Sequence, residues 1–444
     1  MLTKLAELFG LSGNGQTAAA RDRAHVASKL AESCHRLLSE RGEVSGTRLA
    51  AGILSAYEGL DASAREAFFD TLLAQFSPDP MQVGQAGDAY RDDPSAENLA
   101  RLQRVVESPR QELFRRLNTA PGGTRGLVKM QGDLLRDGGH PPVSADLGHL
   151  LVAWFNPGFL VLQKIDWHTS ATILEKLIQY EAVHQIQGWA DLRRRLEADR
   201  RCYAFFHPAL PDEPIIFVEV ALTKGMSDKV QPLLDLGSAV VAPESADCAV
   251  FYSITNCQPG LRGVPFGSFL LKQVVEDLER EFPKIRRFAT LSPVPGFRAW
   301  LVENAHLLAS ATKFANVADV VARLDDEGWP EDARRAEQMR ECLVPLCAYY
   351  LLRAKRDKEP IDSVARFHLR NGARLERINW LGDTSRTGLD RSAGFMVNYV
   401  YELGSLERNH ERYIWEARVA AASGIDNLVR QAVAPASSMK RLHS

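Results

Sequence analysis

The sequence predicts an α+β protein in two parts, an all-α N-terminal half followed by an α/β half. Three observations carry that prediction. Up to about Phe155 the text is rich in Ala, Leu, Arg, Glu and Gln, with apolar residues at helical spacing. After the turn Asn156-Pro157-Gly158, compact β-branched and aromatic runs of strand length take over. At 444 residues the chain is also too long for one ordinary core, given about 150 residues per domain. Residues 1–155 are therefore read as a helical domain for packing and subunit contacts, and 156–444 as a second, α/β domain.

In the first half, REAFFDTLLAQF and SAENLARLQRVVE are amphipathic, and SPDP, APGG and GGHPP divide the text into short helices of a bundle. His25 and the pair Cys34-His35 lie on helices without partners at metal-ligand spacing, so they are read as structural. In the second half, PIIFVEVAL and CAVFYSIT read as strands, and IRRFATL, Ile285 to Leu291, as a third. Between the last two lies a helix from Phe266 to Phe282, with Phe269, Leu270, Val274, Leu278 and Phe282 on one stripe. A helix from Glu337 to Leu352, kinked at Pro345, comes next. The stretch holding FHLRNGARLERINWLGD reads as loop-rich, and helices are expected from there to about Ala432, taking in FMVNYVYEL.

Bulk composition removes several classes of function. With 45% hydrophobic and 25% charged residues the chain has the make-up of a soluble globular protein, and a net charge of -2 gives no electrostatic reason for a nucleic-acid or membrane partner. Six dilute cysteines without a CxxC pair suggest neither a disulfide framework nor a zinc site, and reduced thiols of the cytoplasm are the expectation. MLTKLAELFGLSGNGQ lacks the pattern of an export signal. The apolar runs LLVAWF and CLVPLCAYYLL are shorter than the roughly 20 residues that span a bilayer.

Chemistry concentrates at two places in the second half. CAVFYSIT runs through NCQPGLRGVPFG into the amphipathic helix, a Gly-bearing turn at a helix N-terminus where free N–H groups and the helix dipole suit a pyrophosphate. Gly260, Gly263 and Gly267 would let the backbone come close, although three glycines also serve an ordinary loop. The second place is LSPVPGF, Leu291 to Phe297. Its two prolines hold Ser292 and Val294 extended, which suits a bare turn or a fixed hydroxyl equally.

RCYAFFHPALPDEPIIFVEVALT, FYSITNCQPGLRGVPFGSFLLKQVVEDL, FPKIRRFATLSPVPGFRAWL and VARFHLRNGARLERINW, in that order, resemble the malonyl-CoA decarboxylase family from about Glu175 to Leu403. The resemblance implies a catalytic domain of the GNAT acetyltransferase-like fold that holds coenzyme A phosphates at a strand-turn-helix. It places the acyl-CoA-binding turn on Arg262, Gly263, Val264, Pro265, Phe266, Gly267 and Ser268, the family's serine on Ser292 and its histidine on His368. One departure stands out. Acetyltransferases of this fold usually carry Gly-x-Gly at the turn, whereas here Pro265-Phe266-Gly267 removes one N–H, and some decarboxylases place an acid where Pro265 stands.

The implied reaction, malonyl-CoA to acetyl-CoA and CO2, needs no metal and no cofactor beyond the coenzyme A of the substrate. Loss of CO2 leaves an enolate, so the site needs donors for the thioester oxygen and a proton for the α-carbon. Ser292 would hold the malonyl carboxylate or take its proton, and His368, with an unperturbed pKa of about 6.5, would protonate the enolate carbon. Tyr399 is the candidate to hydrogen-bond and orient that imidazole, although an aromatic inside an apolar helix is more often core; His207, beside Pro208, reads as structural, and Lys224 and Lys272 as surface lysines within reach of phosphates. An acyl-CoA N-acyltransferase using the same turn, or a non-catalytic acyl-CoA-binding scaffold, are the alternatives. A cytoplasmic homo-oligomer assembled through the helical domain is expected, with malonyl-CoA and acetyl-CoA as its small-molecule partners.

Overall fold

The computed structural model describes residues 11–264 and 266–433. They form two compact units: the described residues up to 160 with those of 207–213 and 258–265, and the described residues of 161–206, 214–257 and from 266 on.

The first unit is all helical, from Leu11–Ser39 to Pro141–Trp154. Its starts are chemically marked: Asp61 accepts from the Ala64 N–H at 2.7 Å, and Asp79 accepts from the Met81 N–H at 2.9 Å ahead of a proline in the first turn. Tyr57, Phe68, Phe69, Phe76 and Phe114 are buried, and the rings of Tyr57, Phe68 and Phe69 pack on one another. His35, expected to be structural, bonds Gln75 at 3.1 Å and stacks on Phe76. The short turn Pro259–Leu261 belongs to this unit, and a Cβ on Gly260 would overlap the carbonyl oxygen of Val128, so only glycine fits there.

The second unit is built on a mixed sheet. In chain order its strands are β1 (Val161–Ile165), β2 (Arg200–Phe206), β3 (Pro214–Thr223), β4 (Cys248–Asn256), β5 (Arg287–Thr290) and β6 (Ser292–Pro293). A small separate hairpin, β7 (Lys355–Arg356) and β8 (Glu359–Pro360), precedes β9 (Arg374–Asn379) and β10 (Met396–Val400). The order is β1-β2-β3-β4-β5-β10-β6 with β9 on β10, and every pairing is antiparallel except β4 with β5. A parallel pair needs a crossover, and the amphipathic helix Gly267–Glu281 supplies it. This strand-turn-helix-strand unit in a mostly antiparallel sheet is the arrangement expected of a GNAT-like domain.

Two readings from sequence are corrected. The centre of FMVNYVYEL, Met396–Val400, is strand, not helix: all five residues of β10 are buried, and a largely apolar run does not distinguish a buried strand from a buried helix. The stretch around FHLRNGARLERINW is not loop-rich but a helix, Ser363–Arg370, followed by β9, with Gly372 at φ 80° turning the chain between them. The expected helix through Pro345 runs Ala333–Arg353. No helix among the described residues is long and apolar enough to cross a membrane.

One carboxylate ties the serine loop to the histidine helix. Asp362, 2% exposed, caps Ser363–Arg370 by accepting from the Val364 N–H at 3.0 Å and the Ala365 N–H at 2.8 Å. It also accepts from the Gly296 N–H at the end of LSPVPG and, at 3.4 Å, from the Tyr350 hydroxyl. Asp362→Ala should therefore cost about 2–4 kcal/mol, the lost cap plus buried donors left unpaired. Urea denaturation measures this, and a loss below about 0.5 kcal/mol would show that the loop and helix are held by packing alone.

Candidate active site

β4 and β5 run side by side only from Cys248 to Phe251 and Arg287 to Thr290, a pairing extended by one bond from the Leu291 N–H to the Phe251 carbonyl at 2.9 Å. Beyond that point the chain leaves β4 and keeps β10, which already pairs with β5 at Ala289 and Val400, so that Ser292 lies opposite Val397 and Pro293 opposite Met396. Ser292 therefore stands where the parallel pair parts. As the prolines predict, it is extended, and Val294 behind it is buried with its N–H bonded to Ser392 Oγ at 3.2 Å.

Ser292 Oγ lies 3.0 Å from His368 Nε2, and His368 Nδ1 lies 2.8 Å from the Tyr401 hydroxyl. Ser292 Oγ also donates to Thr290 Oγ1 at 3.0 Å, and Thr290 Oγ1 accepts from the Tyr399 N–H at 3.2 Å. The serine has one proton and spends it on Thr290, so it accepts from the imidazole. His368 is then the Nε2–H tautomer, and its Nδ1 accepts from Tyr401. A single hydrogen-bonded chain runs Tyr401, His368, Ser292, Thr290.

The structure thus brings together Ser292, His368 and Tyr399, but gives Tyr399 a different part from the one expected. Its ring stacks on the imidazole at 4.6 Å between centroids and 23° between planes, while Tyr401, two residues on, makes the hydrogen bond. The signal for Tyr401 was present in NYVY, since residues two apart in a strand share a face, but it is visible only once the segment is read as a strand. Thr290 and Ser292 show the same spacing in β5 and β6.

Burial controls the electrostatics. His368 is 3% exposed with no charged group shifting it, and desolvation alone pushes its pKa down to about 3. The near-neutral titration expected of an ordinary histidine is replaced by an imidazole that stays neutral. Burial also raises Tyr401 and Tyr399 well above the usual phenol range.

The residues of the expected acyl-CoA turn divide between the two units, Arg262 to Val264 in the first and Phe266 to Ser268 in the second. Arg262 and Gly263 are exposed, Gly263 has φ 93° with open space where a Cβ would stand, and Val264 is half-buried. Phe266 is buried directly before the helix, and Gly267 and Ser268 begin it, though only their backbone is described. Pro265 lies outside the described residues. His207 is structural, bonding the Trp154 carbonyl at 3.1 Å, and Lys272 pairs with Glu407 at 3.6 Å. All six cysteines are buried.

Residues 158–439 match the malonyl-CoA decarboxylase C-terminal domain and residues 76–155 the N-terminal domain of the same family. A mitochondrial malonyl-CoA decarboxylase of Anser anser anser is 34% identical over 432 residues, covering 88% of this chain and 85% of its own. Crystal structures of malonyl-CoA decarboxylases from Rhodopseudomonas palustris and Agrobacterium vitis superpose with a TM-score of 0.85 each, at 50% and 46% identity. Each covers 90% of this chain and 99% of its own.

The depressed pKa has a testable consequence. Between about 6.5, where an unfolded histidine titrates, and about 3, the unfolded chain binds a proton that folded His368 refuses. The stability owed to this group is complete above about 6.5 and is lost as pH falls through that window. Wild type should lose up to about 1.4 kcal/mol per pH unit more than His368→Gln between pH 6.5 and 4. Equal slopes in urea denaturation series would mean that His368 protonates freely in the folded protein.

Proposed function

The chain belongs to the malonyl-CoA decarboxylase family and is a decarboxylase of the carboxy-lyase class, and from that premise we propose how its residues carry malonyl-CoA to acetyl-CoA and CO2. The observation that carries the reading is the buried contact of Ser292 Oγ with His368 Nε2, 3.0 Å long, where β4 and β5 part.

Substrate binding turns the Ser292 proton from Thr290 to the malonyl carboxylate, and the hydroxyl holds the breaking C–C bond roughly perpendicular to the thioester plane. That bond breaks, its electron pair passes into the thioester as an enolate, and CO2 leaves neutral. The hydroxyl that held the carboxylate now faces the carbon that lost it. Ser292 gives its proton to that carbon, receives the Nε2–H of His368, and His368 receives the Tyr401 proton at Nδ1. Tyr401 regains a proton from water, so one proton is consumed per turnover. A neutral imidazole suits this role because it passes a proton on without a buried positive charge, and the enolate is basic enough to draw one through. The imidazole thus protonates the enolate through Ser292.

The turn from Arg262 to Ser268 is our proposed seat for the coenzyme A pyrophosphate. The helix Gly267–Glu281 begins within that stretch, and the N–H groups of its first turn suit an anion. The helical unit is our proposed contact between copies. Its helices Pro80–Asp92 and Ala96–Val106 bury only Ala86 between them and leave Met81, Leu99 and Val106 exposed.

Pure protein given malonyl-CoA alone should yield acetyl-CoA by mass, since a decarboxylase needs no acceptor amine. Ser292→Ala should lower kcat by roughly 10²-fold or more and leave acetyl-CoA affinity nearly unchanged, because pantetheine and nucleotide supply most of the binding. Near wild-type turnover in that variant would return LSPVPGF to the status of a structural turn.

A further inference from the structure

Thr290 is fully buried at the last position of β5, where the strand is held on both sides: its backbone pairs with Phe251 of β4, and its carbonyl accepts from Asn398 Nδ2 at 2.7 Å. Asn398 is itself fixed. Its Nδ2 also donates to the Ser227 carbonyl at 3.0 Å, and its Oδ1 accepts from Asn379 Nδ2 and Arg377 Nε, each at 2.9 Å. The β10 strand shifts register against β9 between Asn398 and Tyr399, and the Tyr399 N–H turns to Thr290 Oγ1 at 3.2 Å.

That N–H fills one lone pair of the Thr290 hydroxyl, and the Ser292 proton, at 3.0 Å, fills the other. A threonine in a strand is stiff about χ1, so the acceptor for Ser292 is fixed in place. If the serine proton were free, it would fall to the nearest better base, the imidazole Nε2. The imidazole would then carry its own proton on Nδ1, facing Tyr401, and could not resupply the serine.

Resting on the decarboxylation reading above, we propose that Thr290 is a positioning residue. Its hydroxyl oxygen holds the Ser292 proton off His368 in the resting site, and so commits the imidazole to donate through Nε2 towards Ser292. When substrate arrives, the serine proton leaves Thr290 for the malonyl group while the bond from Nε2 stays in place. Thr290 touches no reacting atom in this scheme. It sets the direction of a chain that could run either way.

Thr290→Val keeps the shape and removes the acceptor; Thr290→Ser keeps the acceptor and removes the methyl. The valine variant should lose roughly 10- to 100-fold in kcat with acetyl-CoA affinity within about three-fold, and the serine variant should return to within about three-fold of wild type. In a Ser292→Ala background the valine change should cost less than about two-fold further, because the proton it directs is gone. If the valine chain does not fold, Thr290→Cys, whose thiol is a weak acceptor, is measured instead and should show the same loss. The inference is overturned by a valine or cysteine variant within about two-fold of wild-type turnover, or by an equal loss with and without Ser292, which marks a purely structural role. Near wild-type activity of Ser292→Ala alone would overturn the underlying reading as well.

Discussion

An imidazole buried without a charge beside it is neutral at every physiological pH, and the arrangement of this site follows from that constraint. A neutral ring has one N–H and one lone pair, so His368 can link two neighbours only as part of a directed chain, with Tyr401 giving to Nδ1 and Nε2 giving to Ser292. The stacked ring of Tyr399 covers one face of the imidazole and helps keep it dry. In the proposed mechanism such a place quenches an enolate well, because the proton would come through a defined path rather than from loose water.

The fold supplies that geometry by treating one stretch of chain as two strands. Thr290 closes β5 and Ser292 opens β6, so their side chains project to the same side while the backbone loses β4 and keeps β10 as its partner. Where the parallel pair parts, β4 and the serine segment no longer serve as each other's partner. Asp362 then fixes the histidine helix against the serine loop through four donors on two segments and a tyrosine. A carboxylate used in this way is consumed by its donors, consistent with a reaction that asks nothing of an acid at this spot.

Much of this was legible in the sequence, and the exceptions have physical causes. The strand PIIFVEVAL, the helix after the glycine turn and the extended Ser292 were readable because β-branched runs, a 3.6-residue stripe and flanking prolines act locally. β10 was misread because burial on both faces erases the alternation that marks a strand. With it went Tyr401, whose spacing from Tyr399 means nothing on a helix and everything on a strand. Thr290 was invisible for another reason: its role lies in two hydrogen bonds to groups 2 and 109 residues away, and no local pattern encodes the second. The near-neutral pKa assigned to His368 from residue type failed because desolvation is a property of the packed core.

The state of the His368 ring tests the account most directly. In protein with ¹⁵N-labelled histidine, the His368 signals, assigned by their loss in His368→Gln, should show a neutral ring protonated at Nε2, with shifts constant from pH 5 to 8. A ring that titrates near 6.5, or one protonated at Nδ1, would contradict the directed chain on which the proposed protonation of the enolate depends.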